Sequence, residues 1–341
     1  LFCFTSFGVV QVLGDGQLRT LEVEIYRSTA YLLDLPTAAA LALLQLMAVV
    51  AMLVVVGRGR RVVSGRAVDV ARRPHGWRES SLVALVATLT ALLVLGPLIV
   101  IAARSVLVGG QWSAAGWELL FSPGETTNAV QPWRAVLASL RTSIAATLLA
   151  VVVGGAAAVG LAMGRRGTWL RSVDAMMLLP LGTSAVTVGL GMLLAFGRPP
   201  VDLRNTGLLI VLAQALVAMP FVVRVLAPGF ESFDRRYLEV AAVLGRSTWQ
   251  AVRSVAVPLL LPLITVAVGF AFAVTLGEFG ATVFLATPAD PTLPVAISRL
   301  LARPGAVTVA AAYAASTVLM LITVAVVVAV DRVRVGRAVV F

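Results

Sequence analysis

The chain is 341 residues long, 60% apolar and 13% charged, with a mean hydropathy of +0.98 and a formal net charge of +11. A water-soluble domain cannot bury that much apolar surface, and its charged fraction is normally about a quarter. A soluble enzyme is therefore excluded, and several apolar runs of about 20 residues, the length that crosses ~30 Å of hydrocarbon, predict an all-α polytopic membrane protein.

Taken in order, residues 1–13 read as the last turns of one span, without the charged n-region or cleavage site of a signal peptide, so the chain reads as the later part of something longer. Residues 14–36 form a polar re-entry carrying Asp15, Glu22, Glu24 and Asp34. Span A is expected at 37–56. The segment Arg58–Arg78 holds seven arginines and reads as a cytoplasmic linker. Span B follows at 81–103. Residues 104–132 form a longer outer loop, and Trp112, Trp117 and Trp133 in or beside it suit a membrane interface. Spans C, D and E are expected at 136–163, 175–196 and 206–227, span F at 257–286 and span G at 306–330, about seven transmembrane helices in all. The outer loop 287–305 carries four prolines.

The charges support one orientation. All 27 basic residues are arginine, and 18 of them fall in the linker, the C–D loop, the E–F region and the tail, which places these segments and the C-terminus in the cytoplasm. That distribution follows membrane topology and speaks against a nucleic-acid partner. The lone cysteine, Cys3, can form no internal disulfide, and the lone histidine, His75, sits in the arginine-rich linker. No metal-ligand cluster and no nucleophile–base set stands out, so no catalytic site, metal or cofactor is predicted for this chain.

The polar interval between spans E and F is the most informative stretch. In residues 231–256, Tyr237, Val240, Ala241 and Leu244 recur with helical spacing, Gly245 breaks the helix, and a second short helix carrying Trp249, Val252, Val255 and Ala256 is expected before Pro258 and Pro262 open span F. Two short helices hinged at a glycine on a membrane surface make a docking element. Glu239, Ala241, Gly245 and Pro258 resemble the E-A-A-x-x-x-G…L-P signature of the permease subunits of ABC importers, with Val240 and Val257 in place of the usual alanine and leucine. The resemblance implies the type I importer permease fold. It implies a coupling helix seated in a cytoplasmic ATP-binding subunit, so that ATP is hydrolysed by that partner and not here. It also implies an extracytoplasmic solute-binding protein, and a multi-pass location in the bacterial inner membrane in contact with lipid. Tyr237, Glu239, Ala241, Leu244, Gly245, Trp249 and Pro258 are the docking candidates. Tyr237, Leu244 and Trp249 could instead pack on the protein's own spans, and Glu239 could pair with Arg235, Arg236 or Arg246 or cap the helix.

An internal repeat lays residues 7–46 on residues 279–318 without a gap, at an offset of 272. Phe7–Gly8 meets Phe279–Gly280, Thr20–Leu21 meets Thr292–Leu293, and Val23, Ile25 and Arg27 meet Val295, Ile297 and Arg299. Repeats are a mark of transporters whose two halves form the pathway between them. Residues 1–56 are then the end of a first permease half, 57–80 the linker, 81–335 a complete second half and 336–341 a cytoplasmic tail; the first half's own coupling loop is expected upstream of Leu1. Such a fused permease resembles the thiamine and ferric-iron group of ABC importers, through LFCFTSFGVVQVLGDGQLRTLEVEIYR early in the chain and TLGEFGATVFLATPADPTLPVAISRLL late in it, and thiamine or ferric iron is the substrate this resemblance implies.

For the pathway, span D offers Thr183, Ser184 and Thr187 after Pro180, followed by Gly189 and Gly191. A proline- and glycine-broken segment with hydroxyls suits a gate or pathway wall, and equally suits helix packing through small residues. Glu278 is the one carboxylate within a long apolar run, about 30 Å along span F from Pro258, where it is expected at the outer face toward the binding protein. An ion-coupled secondary transporter would need clear ionisable groups at mid-membrane, and a non-transporting scaffold would account for neither the docking loop nor the repeat.

Overall fold

The computed structural model describes residues 7–13, 20–59, 76–122, 132–163, 176–177, 180, 184–198, 201–203, 206–234, 236–287 and 290–338. The core of the expected linker, most of the C–D loop, Thr183 and Arg235 lie outside the described residues. The elements are α1 Gly8–Leu13, α2 Leu21–Ala30, α3 Leu35–Gly59, α4 Trp77–Arg104, α5 Ala115–Phe121, α6 Pro132–Met163, α7 Ala185–Phe196, α8 Leu208–Ser232, α9 Arg236–Val243, α10 Thr248–Ala251, α11 Val257–Leu276, α12 Thr282–Leu285, α13 Leu293–Leu301 and α14 Ala306–Ala338. Among the described residues, six helices are long and apolar enough to cross a membrane, and α7 is a shorter apolar helix. The all-α membrane architecture expected from composition is the one observed.

The bundle centre is built from small residues. Ala146, Ala150 and Ala158 of α6 pack on Ala215, Ala218, Val222 and Leu226 of α8 and on Ala267 and Ala271 of α11. Within a membrane no hydrophobic force separates helix from lipid, so close backbone approach through alanine and glycine supplies the van der Waals gain. Pro220 and Pro228 sit inside α8 without ending it, as neighbouring helices allow in such bundles. At the periphery, α4 packs along α14 and buries none of its own residues.

Local capping explains several boundaries. Asp34 starts α3 by accepting from the Thr37 hydroxyl at 2.6 Å and the Thr37 amide at 3.1 Å, and these bonds, the hydroxyl's first, hold its carboxyl below the usual carboxylate range. Ser184 accepts from the Val186 amide at 3.1 Å and so begins α7. A two-residue turn, with Gly109 at φ +58° and Gly110 at φ +87°, joins β1 Leu107–Val108 to β2 Gln111–Trp112, as the twist of a tight hairpin requires.

The structure departs from the expected elements in two places. Span F was expected to run to residue 286, but α11 stops at Leu276, and the chain turns through Gly277–Ala281 into the short α12. The Glu278 carboxylate makes this turn by accepting from the Ala281 amide at 2.8 Å and the Thr282 amide at 3.1 Å. Within expected span D, α7 supplies Ala185–Phe196, and residues 175, 178–179 and 181–183 lie outside the described residues. The second docking helix is not separate either. α10 continues through a π-helical turn, Val252–Ala256, directly into α11, so Pro258 lies within one rod from Thr248 to Leu276. The wider π turn sits just before Pro258, which has no N–H to give.

Within the segments expected as loops, α2, α5 and α13 form short helices. The repeat is visible in these elements. α2 begins at Leu21 and α13 at Leu293, 272 residues on, each preceded by a threonine, and α3 and α14 follow them as long helices. The equivalent rings Phe7 and Phe279 stack on each other, with centroids 5.4 Å apart and planes 15° apart.

Candidate functional site

The stretch from Asp234 to Ala256 is assembled by interlocking caps. Asp234 Oδ1 accepts from the Arg236 amide at 3.0 Å and starts α9. The helix ends in a Schellman motif: Gly245 N–H donates to Ala242 and Arg246 N–H donates to Ala241. Gly245 takes φ +81°, the left-handed conformation that motif requires, and a Cβ there would meet nothing within 4 Å. A capping box follows. Ser247 N–H donates to Gln250 Oε1 at 3.0 Å, and Gln250 N–H donates to Ser247 Oγ at 3.4 Å. The S-x-x-Q pattern at 247–250 was legible in the sequence and marks the start of α10.

The capped segment presents an apolar, outward surface. Ala241 is 6% exposed and Ala251 2%, so these alanines are the inward anchors. Tyr237, Val240, Leu244 and Trp249 all face outward, with Leu244 at 77% and Trp249 at 72% exposed. The expected stripe therefore splits: Ala241 packs inward and its neighbours at helical spacing do not. Val243, at 88% exposed, belongs to the same surface. Periodicity missed it because it falls off the stripe that Ala241 shares. Glu239 lies in the first turn of α9, exposed, where its charge complements the helix dipole, and it forms no ion pair among the described residues. Pro258 is exposed at the start of α11 and touches the surface only through the rod it belongs to.

The pathway candidates fall into two places. Ser184 and Thr187 belong to a buried polar chain between the first and second repeats. Thr187 Oγ1 donates to Gln45 Oε1 at 3.3 Å, and Gln45 Nε2 donates to Glu22 Oε1 at 3.0 Å. Glu22, Gln45 and Ser184 are buried. This chain joins α2 and α3 to α7, and Phe7, Ile25, Ala38 and Ala42 pack against Val186 and Leu190 beside it. Sequence reasoning missed Glu22 and Gln45, since nothing local reveals that residues so far apart meet.

Glu278 is at the end of the rod away from Gly245, as its position in span F implied. Its side chain is buried and is spent on the Ala281 and Thr282 amides, so it does not face outward as expected. Glu278→Ala would strip both amides of their partner, at a cost of about 1–3 kcal/mol. A lower thermal midpoint in detergent is expected, partly restored by Glu278→Gln, whose carboxamide oxygen still accepts. An unchanged midpoint in Glu278→Ala would show that the turn does not depend on the carboxylate.

A bundle of long apolar helices carries exposed apolar residues around Gly245 at one end and the repeated short helices α2 and α13 at the other. The fold is shared with the bacterial ABC transporter involved in the import of the acidic polysaccharide alginate, with a TM-score of 0.58 at 17% identity, covering 76% of this chain and 96% of that one. The chain belongs to the family of binding-protein-dependent transport system inner membrane components, matched over residues 150–335. Among its relatives, the PhnV permease named for 2-aminoethylphosphonate transport in Salmonella paratyphi A is 35% identical over 173 residues, covering 50% of this chain and 64% of that protein. The thiamine transport system permease ThiP of Salmonella typhimurium is 28% identical over 309 residues, covering 86% of this chain and 54% of that protein. The chain thus spans less than two thirds of the length of either relative.

Proposed function

We propose that this chain forms the translocation path of an ATP-driven importer and couples it to a separate cytoplasmic ATP-binding subunit through α9, the Gly245 turn and α10. The observation that carries this reading is the exposure of Tyr237, Val240, Val243, Leu244 and Trp249 on a segment whose turns are closed by caps and whose Ala241 and Ala251 are buried. A lone exposed apolar residue is ordinary, but several together mark an interaction site, and Val240, Val243 and Leu244 line one shallow concavity with Arg236 and Glu239. The continuous rod from Thr248 to Leu276 then gives the ATPase a lever that reaches the far side of the membrane. The arginine distribution supports a cytoplasmic side for that patch and the C-terminus, with a solute-binding protein delivering cargo to the opposite end. ATP stays on the partner, and this chain carries out no chemistry of its own.

The repeat supports reading residues 1–56 as the end of one permease half and 81–335 as the other, with the pathway between them near Phe7, Phe279 and the Glu22–Gln45–Thr187 chain. The cargo is a small charged nutrient. Thiamine is favoured by the relative whose match covers most of the chain, and 2-aminoethylphosphonate by the relative of higher identity; ferric iron is named for neither.

The test is uptake into vesicles bearing the full permease, its ATPase and its binding protein. Accumulation of thiamine or 2-aminoethylphosphonate that requires ATP, together with co-purification of the ATPase, is the expected result. Failure of any ATPase to associate would defeat the reading.

A further inference from the structure

At the outer end of the bundle, α6, the start of α8 and the loop between α12 and α13 enclose a pocket of about 430 Å³, a volume that suits a small molecule. Its polar lining is Arg141, Thr142, Thr206, Thr287, Asp290 and Thr292. The pocket lies at the opposite end of α8 from the coupling segment. That helix has 25 residues, so the separation is about 37 Å.

Thr292 is the telling residue. It stands where Thr20 stands in the earlier repeat, just before the short helix. Thr20 Oγ1 accepts from the Val23 amide at 3.5 Å, whereas Thr292 makes no such cap bond. The first amide of α13, that of Leu293, donates instead to Ser139 Oγ of α6 at 2.6 Å. Thr292 is 1% exposed, and its hydroxyl has no hydrogen-bond partner among the described residues. Leaving a buried hydroxyl unpaired is unfavourable, so its position beside a cavity points to a ligand that pairs with it.

The charges around it are equally unspent. Neither Arg141 nor Asp290 forms an ion pair within 4.0 Å among the described residues. The Thr206 hydroxyl accepts from the Leu208 amide, and the Thr287 hydroxyl accepts from the Asp290 amide. α8 begins at the pocket with Gly207 at φ +67°; its Leu208 amide is taken by Thr206, so the helix dipole and the amides after Leu208 are what favour an anion there. A guanidinium, a helix N-terminus and a free hydroxyl suit the oxygens of an acid group, and a carboxylate on the same cavity suits an amine.

We propose that this pocket binds a small zwitterion, its phosphonate, phosphate or carboxylate group held by Arg141, Thr292 and the start of α8, and its ammonium group held by Asp290. The proposal rests on the importer reading and deepens it by giving the solute a chemical class. The same aminoethyl-phosphate chemistry is carried by the headgroup of phosphatidylethanolamine, so the ligand is either a free solute or that lipid.

The experiment uses the full permease with its ATPase and binding protein in phosphatidylcholine nanodiscs, titrated with 2-aminoethylphosphonate, methylphosphonate and ethylamine. The zwitterion is expected to bind more tightly than either single-charge probe. Arg141→Ala should weaken it at least about tenfold, the order expected for a lost charge-assisted contact. Asp290→Asn, in an exposed loop, should bring it to the level of methylphosphonate. In a second arm, phosphatidylethanolamine retained by wild type and lost from both variants, seen by native mass spectrometry, would identify the lipid headgroup as the source. Wild-type protein that binds neither, or variants that bind as wild type does, would overturn the pocket. ATP-dependent uptake measured on the same preparation keeps the outcomes separate: uptake without zwitterion binding defeats only the pocket, and absence of an associating ATPase defeats the importer reading.

Discussion

Gly245→Trp is expected to leave the permease folded in the membrane while cutting ATP-dependent uptake at least about tenfold, equivalent to ~1.4 kcal/mol or more of lost docking. Gly245 sits at φ +81° with nothing within 4 Å of where a Cβ would be. A side chain there therefore meets no neighbour in this chain, and the local cost is the left-handed backbone, about 1–2 kcal/mol for a residue with a Cβ. That strain falls on an exposed turn outside the bundle core. The indole would stand between Leu244 and Trp249, on the surface assigned to the ATPase. Gly245→Ala carries the same backbone strain without the bulk, so it should reduce uptake far less. Wild-type uptake and stimulated ATP hydrolysis in Gly245→Trp would show that the partner does not seat on this turn.

The second large effect is expected inside the bundle. Gly189→Ala should destabilise the protein severely, whereas Gly229→Ala should be mild, although both glycines lie within apolar helices. A Cβ at Gly189 would come within 2.6 Å of Ala281 Cα and 2.7 Å of its carbonyl oxygen. Those are backbone atoms of the turn that Glu278 organises, and they cannot rotate aside, so α7 and that turn must separate. Overpacking of this kind costs about 1–3 kcal/mol or more. A Cβ at Gly229 would meet the end of the Leu263 side chain, which can change rotamer. The check is the thermal midpoint of the two variants in detergent, with Leu263→Ala added to Gly229→Ala as a rescue. No truncation of Ala281 should rescue Gly189→Ala. Equal midpoints for the two glycine variants would refute the distinction between backbone and side-chain contact.

Much of the architecture was legible because a bilayer makes strong demands on sequence. Long apolar helices must announce themselves by length and composition, so α3, α4, α6, α8 and α14 lie where the apolar runs put them. Arginine placement, the spacing of Glu239, Gly245 and Pro258, and the repeat from Phe7 to Phe279 are also properties of the linear chain. They sufficed for the family to which the chain belongs.

Other features were decided only when distant segments met. Whether Tyr237, Leu244 and Trp249 face outward depends on Ala241 and Ala251 taking the inward positions, and helical periodicity cannot say which side of an amphipathic turn finds a neighbour. The end of α11 at Leu276 depends on a carboxylate that an apolar run would place in the membrane, yet which folds back onto two amides. The chain of Glu22, Gln45 and Thr187 spans 142 residues between its last two members. The unpaired hydroxyl of Thr292 follows from Ser139 of another helix reaching the first amide of α13. Buried polar groups must find partners wherever the fold supplies them. Their pairing is a property of three-dimensional packing, and no local pattern of residues encodes it.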